Sequence, residues 1–173
     1  ALRGARVLLI EKNTFGSGTS SKSSRLIHGG IRYLELSWSA FRRGDFSEGW
    51  RNFRFVRSAL KECRILESIA PDLVRPLPLL IPIYDTDPRH PFTVYFGAWV
   101  YSLLALLAGG GHRPKIYHGP KAVLRVLPQL RPQGLRGAIQ IWDRVTDDRE
   151  LVRRTIASAR KSGAACVEKT SLT

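Results

Sequence analysis

Apolar positions along the chain follow two different periods. Residues Arg6-Val7-Leu8-Leu9-Ile10-Glu11-Lys12 form a short, nearly continuous apolar run bounded by Gly4 and Asn13. Its length and branched side chains predict a strand buried on both faces, as in a parallel sheet. Phe46, Trp50, Phe53, Val56, Leu60, Cys63 and Leu66 instead recur at steps of three and four. They predict one face of a long helix over 46–70, which Pro71 stops. Residues 77–84 read as extended, and Pro76, Pro78 and Pro82 suit an edge strand better than a central one. Residues 92–111 carry no Asp, Glu, Lys or Arg and end in Gly109-Gly110-Gly111. A membrane-spanning helix needs about 20 mostly apolar residues, so this run reads as a buried or interfacial helix.

A loop then runs through Pro114, a short helix is expected over 122–127, and a strand over 138–142. Asp147 and Glu150 are placed like a capping box and Gly163 like the residue after a helix end, which predicts a helix over 147–162. A second short strand follows over 164–169. Strand and helix alternate only at the two ends, while the middle reads as an insertion. This pattern predicts an α/β chain: a doubly wound, dinucleotide-type domain interrupted by a substrate-facing piece.

The composition is that of an ordinary globular domain, with 43% hydrophobic and 24% charged residues in 173. It excludes a mainly disordered chain, a collagen-like repeat and a coiled coil. Cys63 and Cys166 are too few for a disulfide framework, lack metal-ligand spacing, and read as core. His90, His112 and His118 stand in polar, Pro/Gly-rich stretches and read as surface residues, so no metal site is expected. Methionine is absent and the chain opens almost directly on a strand, which reads as an internal fragment or a processed chain. The formal charge is +14, with 21 Arg against 7 Lys. Nucleic acid, an anionic membrane surface and a phosphorylated ligand all suit such a surplus. No Lys/Arg block and no nucleic-acid motif is present, so nucleic acid is not expected as a partner.

Two stretches carry candidate chemistry. Glu11 ends the first strand, where an acid can accept hydrogen bonds from a ribose diol. The glycine-rich turn that should precede it by about 20 residues is missing from this sequence. Gly16 to Leu34 then offers hydroxyls and backbone N–H groups at high density, the groups that cradle a pyrophosphate. Gly29 and Gly30 let backbone approach a flat ring closely. Arg32 can fork onto a phosphate.

In these residues the chain resembles the FAD-dependent, quinone-linked glycerol-3-phosphate dehydrogenases. The resemblance rests on the strand ending in Glu11, on Gly18-Thr19-Ser20-Ser21 followed by Ser23-Ser24-Arg25-Leu26-Ile27-His28-Gly29-Gly30-Ile31-Arg32-Tyr33-Leu34, on Ala70-Pro71-Asp72-Leu73-Val74-Arg75-Pro76-Leu77-Pro78, and on Asp143 with Val145-Thr146-Asp147-Asp148. It covers nearly the whole chain. It departs from the family pattern in the missing first strand, in a short insertion over 36–49, in Arg149-Glu150-Leu151 where the family continues Ala-Arg-Leu, and in the missing C-terminal half.

The resemblance implies a Rossmann-like FAD-binding domain of the D-amino-acid-oxidase class, incomplete here and carrying an inserted substrate- or membrane-facing segment. Residues 1–76 would form its first part, 77–142 the insert, and 143–173 the return. It implies oxidation of sn-glycerol 3-phosphate to dihydroxyacetone phosphate, with hydride passing to FAD and electrons on to quinone. The oxidase variant passes electrons to oxygen, and a non-catalytic binding or membrane-surface module is the alternative outside enzymes. By position, the resemblance assigns Glu11, Thr19, Ser20, Ser21, Ser24, Arg25, Leu26, Ile27, His28, Gly29 and Leu172 to the cofactor, and Arg32 with Tyr33 to the substrate phosphate. His28 is the candidate catalytic base, with shaping of the flavin site by hydrogen bonding as its other reading. The fragment itself is expected to be inactive. The resemblance further implies peripheral attachment to an anionic membrane surface, bacterial inner or mitochondrial inner, and admits a homodimer.

Overall fold

The computed structural model describes residues 3–171. Strand β1 (Leu8–Ile10) pairs in parallel with β6 (Ala165–Val167), Leu8 opposite Ala165 and Ile10 opposite Val167. Helix α5 (Asp148–Lys161) leads into β6. The Asp147 carboxylate caps it by accepting from Glu150 N–H at 3.0 Å, and Gly163 leaves it at φ +87°. The expected box is half formed, because the Glu150 carboxylate pairs with Arg154 at 3.5 Å instead. The first strand is also not buried on both faces. β6 is its only neighbour among the described residues, and Leu8 is 66% exposed.

The second sheet is four-stranded and antiparallel, built around β5 (Leu135–Val145). β3 (Arg75–Tyr84) lines one side of β5 along its length. β2 (Leu26–Ile27) and β4 (Lys115–His118) share the other side. β3 is therefore an edge strand, as its prolines require. Pro76, Pro78 and Pro82 have the same parity, so their missing N–H groups all fall on the free edge. The expected segment limits at 76/77 and 142/143 lie inside the paired strands β3 and β5.

Both faces of this sheet are covered. On one, Ile139 and Ile141 of β5 pack with Leu34, Val56, Leu60, Ala98, Tyr101 and Ala105 from three helices, α1 (Ile31–Arg42), α2 (Phe46–Ile69) and α3 (Pro91–Leu107). On the other, Ala138 meets Tyr117 of β4 and Val123 of α4 (Gly119–Val126). Cys63 is buried in α2, whereas Cys166 is only half-buried in the thin β1–β6 pair.

The buried stripe of α2 differs from the expected one in its first turns. Gly49 and Asn52 are buried, while Phe46 and Trp50 are exposed. The reason is the close approach of α1. A Cβ on Gly49 would lie 2.4 Å from the Phe41 ring, and the Ser37 hydroxyl donates to the Gly49 carbonyl at 2.8 Å. No large side chain fits at that crossing, so the aromatics turn outward around Phe41. Residues 36–49 are thus the second half of one helix, a tight turn at Gly44, and the start of the next. α3 buries its small residues with Tyr101 and turns Phe92, Trp99 and Leu107 outward.

Candidate functional site

The β1–β2 connection leaves the carboxyl ends of the parallel pair, the edge where open α/β sheets hold ligands. α5 runs back against its strands, so its first turn sits at this same edge. Phe15 N–H reaches the Glu168 carboxylate just beyond β6 at 2.8 Å, and a Cβ on Gly16 would touch Arg149 of α5 at 3.2 Å. The Ser23 hydroxyl donates to the Asp148 carboxylate. The loop is therefore pinned at both ends of the α5–β6 unit.

Glu11 is fixed through its backbone, which donates to Val167 O at 2.9 Å and accepts from Thr170 N–H at 3.0 Å. One carboxylate oxygen accepts from Asn13 N–H at 2.9 Å, and the other has no partner among the described residues. Thr19–Ser21 form a single 3-10 turn. The Ser21 hydroxyl is used inside that turn, donating to Ser17 O at 2.7 Å and Gly18 O at 2.8 Å. The hydroxyls of Thr19, Ser20 and Ser24 have no partner among the described residues, and Thr19, Ser24 and Arg25 are exposed. Arg25 stands at φ +58°, a left-handed conformation rare for a side chain of its size. It is held by its own N–H to the Ser23 hydroxyl at 3.1 Å and by Thr146 N–H to its carbonyl at 2.9 Å. Leu26 and Ile27 then pair with Val145 and Arg144.

Beyond β2 the chain passes over Asp143. Gly29 is buried and its N–H donates to the Tyr101 hydroxyl at 2.8 Å and to Asp143 Oδ1 at 3.3 Å. The Tyr101 hydroxyl in turn donates to Asp143 Oδ1 at 2.5 Å. Burial pushes the Asp143 carboxyl above the usual carboxylate range, against the hydrogen bonds from Tyr101 and Gly29 and the nearby His28 and Arg144. Burial, then the Asp143 charge, push the Tyr101 phenol far up. His28 lies on the exposed side, and its Nδ1 accepts from Gly30 N–H at 3.2 Å. That bond assigns the proton of the neutral ring to Nε2.

Gly30 caps α1 at φ +77°. Arg32 and Tyr33 follow on the first helical turn, both exposed. The Tyr33 ring rests on Phe55 with centroids 4.5 Å apart. The Arg32 guanidinium has no carboxylate partner among the described residues. Leu172 lies outside the described residues. Tyr101 has no distinguishing mark in its greasy helix, so sequence reasoning missed it. Asp143 does carry a signal: an acid closing an apolar strand needs a buried donor.

The sequence matches the FAD dependent oxidoreductase family over residues 1–173. It is 37% identical over 167 residues to a glycerol-3-phosphate dehydrogenase of Synechocystis, covering 95% of this chain and 27% of that protein. It is 32% identical over 174 residues to an alpha-glycerophosphate oxidase of Lactococcus lactis, covering 98% of this chain and 26% of that protein. The fold is shared with the glycerol-3-phosphate dehydrogenase of Bacillus halodurans solved with FAD, at a TM-score of 0.62 and 22% identity, over 99% of this chain and 23% of that one. The chain thus spans about a quarter of the length of the curated relatives it matches.

Proposed function

The chain belongs to the FAD dependent oxidoreductase family, and from that premise we propose that it supplies the flavin-facing and substrate-phosphate-facing part of an enzyme that oxidises sn-glycerol 3-phosphate to dihydroxyacetone phosphate. The observation that carries this reading is the open belt from Glu11 to Tyr33. Among the described residues it has one carboxylate oxygen without a partner, hydroxyls without partners at Thr19 and Ser20, a strained Arg25, and, beside Tyr33, an Arg32 guanidinium without a carboxylate partner.

These residues fit FAD. The open Glu11 oxygen suits a ribose diol. The hydroxyls of Thr19, Ser20 and Ser24 suit a pyrophosphate, with Ser21 shaping the turn and Leu26 and Ile27 carrying the main chain past the ring. FAD, when bound, supplies the two-electron acceptor for the C2–H bond of the alcohol. Arg32 grips the phosphate dianion, with the Tyr33 hydroxyl as a second donor. His28 presents Nε2–H, so in this tautomer it donates a hydrogen bond to a substrate or flavin oxygen. For the imidazole to take the proton from the alcohol, either Nδ1 must give up Gly30 N–H or Nε2 must lose its hydrogen.

Reconstitution of the full-length protein with FAD tests the reading. A yellow protein bleached by glycerol 3-phosphate is the expected result. A protein that stays colourless would leave only a non-catalytic module. Quinone reduction against oxygen uptake then decides the acceptor, for which we infer quinone.

The outward residues of α3 support attachment to a membrane surface. Phe92, Trp99 and Leu107 are 68%, 51% and 75% exposed, and Trp38 of α1 joins them against Phe96 at 6.1 Å. No helix among the described residues is long and apolar enough to cross a membrane. An apolar patch of this kind under a net charge of +14 suits an anionic interface. The full-length protein is expected to bind anionic liposomes and to be released in part as salt rises. Equal binding to neutral liposomes in high salt would remove the electrostatic share.

A further inference from the structure

We propose that the buried Tyr101–Asp143 pair is a positioning device that fixes the orientation of the His28–Gly29 peptide, and through it the presentation of His28 to the flavin and substrate. The inference rests on the flavin reading above.

The peptide 28–29 separates two environments. On its inner side lie Tyr101 and Asp143, with relative exposures of 0% and 2%. On its outer side His28 is exposed, and the adjoining Gly30 opens the helix that carries Arg32 and Tyr33. The Gly29 N–H points inward to the Tyr101 hydroxyl at 2.8 Å and Asp143 Oδ1 at 3.3 Å. In a trans peptide the N–H and the preceding C=O point in opposite directions. The His28 carbonyl is therefore directed outward, as an acceptor on the cofactor side.

Glycine at 29 removes the side chain that would otherwise resist rotation of this peptide. The inward hydrogen bonds are thus what holds it. Asp143 Oδ1 accepts from both the Tyr101 hydroxyl, at 2.5 Å, and the Gly29 N–H. The Tyr101 hydroxyl is in turn both the donor to Asp143 and the acceptor from Gly29. Loss of the Tyr101 hydroxyl leaves the Gly29 N–H only its longer bond to Asp143, and loss of the Asp143 carboxylate leaves the buried Tyr101 hydroxyl without its acceptor; either loosens the hold on the peptide.

The test uses the full-length protein loaded with FAD and the variants Tyr101→Phe, Asp143→Asn and Asp143→Leu. Asn keeps an acceptor oxygen at the same place, whereas Leu does not. For Tyr101→Phe and Asp143→Leu we expect faster hydrogen exchange at the Gly29 amide. We also expect kcat to fall about tenfold or more, with KM and flavin content little changed. Asp143→Asn should stay within about threefold of the parent protein in kcat. If Asp143→Leu fails to fold, Tyr101→Phe decides alone. Normal kcat in flavin-loaded Tyr101→Phe, or unchanged exchange at Gly29, would overturn the proposal. So would an Asp143→Asn as impaired as Asp143→Leu, because the charge and not the acceptor would then matter. Should the parent protein take up FAD without being bleached by glycerol 3-phosphate, the substrate reading fails by itself. The visible spectrum of the bound flavin and the Gly29 exchange rate then decide the positioning: both altered in Tyr101→Phe supports it, and either unchanged overturns it.

Discussion

Replacing Arg32 with Ala in the full-length protein is expected to raise the KM for glycerol 3-phosphate about 100-fold while FAD stays bound. The magnitude follows from the type of bond. A hydrogen bond to a charged group contributes about 1.5–3 kcal/mol, and about 1.4 kcal/mol is a factor of ten in affinity. Arg32 stands at the upper end because no carboxylate among the described residues competes for it, so its whole fork is available to a dianion. Its position on the exposed first turn of α1, away from the packed core, keeps the substitution from disturbing the fold. Arg32→Lys separates charge from geometry. Lysine keeps the positive charge and loses the planar two-point grip, so KM should recover only in part. A KM within about threefold of the parent for Arg32→Ala would remove this residue from the phosphate site.

The fold was legible where a local signal and the tertiary outcome coincide. The Asp147 cap and Gly163 mark the two ends of α5 because each acts on backbone groups within a few residues. The edge position of β3 follows from proline, which cannot donate to a neighbour on that side. The open belt around Glu11 and residues 19–25 was readable for the same reason: hydroxyls, glycines and an acid at a strand end are local chemistry. Three things were not legible. α1 follows paired glycines and has no element assigned to it from the sequence, because its helix is set by packing against α2 at Gly49. The exposure of Phe46 and Trp50 depends on that crossing and not on their helical spacing. The Tyr101–Asp143 bond joins residues 42 apart in sequence, and nothing near Tyr101 announces it.

Gly29→Ala is expected to be strongly destabilising, and a comparison with Gly30 and Gly97 shows why. The backbone at Gly29 is not in the left-handed region, so its need for glycine is one of space. A Cβ there would lie 2.3 Å from Leu60 Cδ2 and 2.6 Å from the Tyr101 hydroxyl. Both neighbours are essentially inaccessible to solvent. Leu60 is hemmed in by the sheet and helix core, and displacing Tyr101 breaks its bond to Asp143. Overpacking of this kind costs about 1–3 kcal/mol, to which the disrupted hydrogen bonds add about 1–3 kcal/mol, a large share of the roughly 5–15 kcal/mol that holds a domain folded. Gly30 needs glycine for the other reason. At φ +77°, with Tyr33 and Phe55 at 3.2 and 3.3 Å, alanine meets backbone strain and only tight packing, about 1–2 kcal/mol. Gly97, in the middle of α3, has nothing within 4 Å and no unusual φ. Alanine there should raise the melting temperature slightly through helix propensity, by up to about 1 kcal/mol. Thermal denaturation of the three full-length variants should therefore rank them Gly97→Ala above the parent, then Gly30→Ala, then Gly29→Ala, with FAD lost first from the last. A Gly29→Ala protein as stable as the parent would mean that the chain at 28–30 does not lie against Leu60 and Tyr101, and the placement of the whole flavin-facing belt would fall with it.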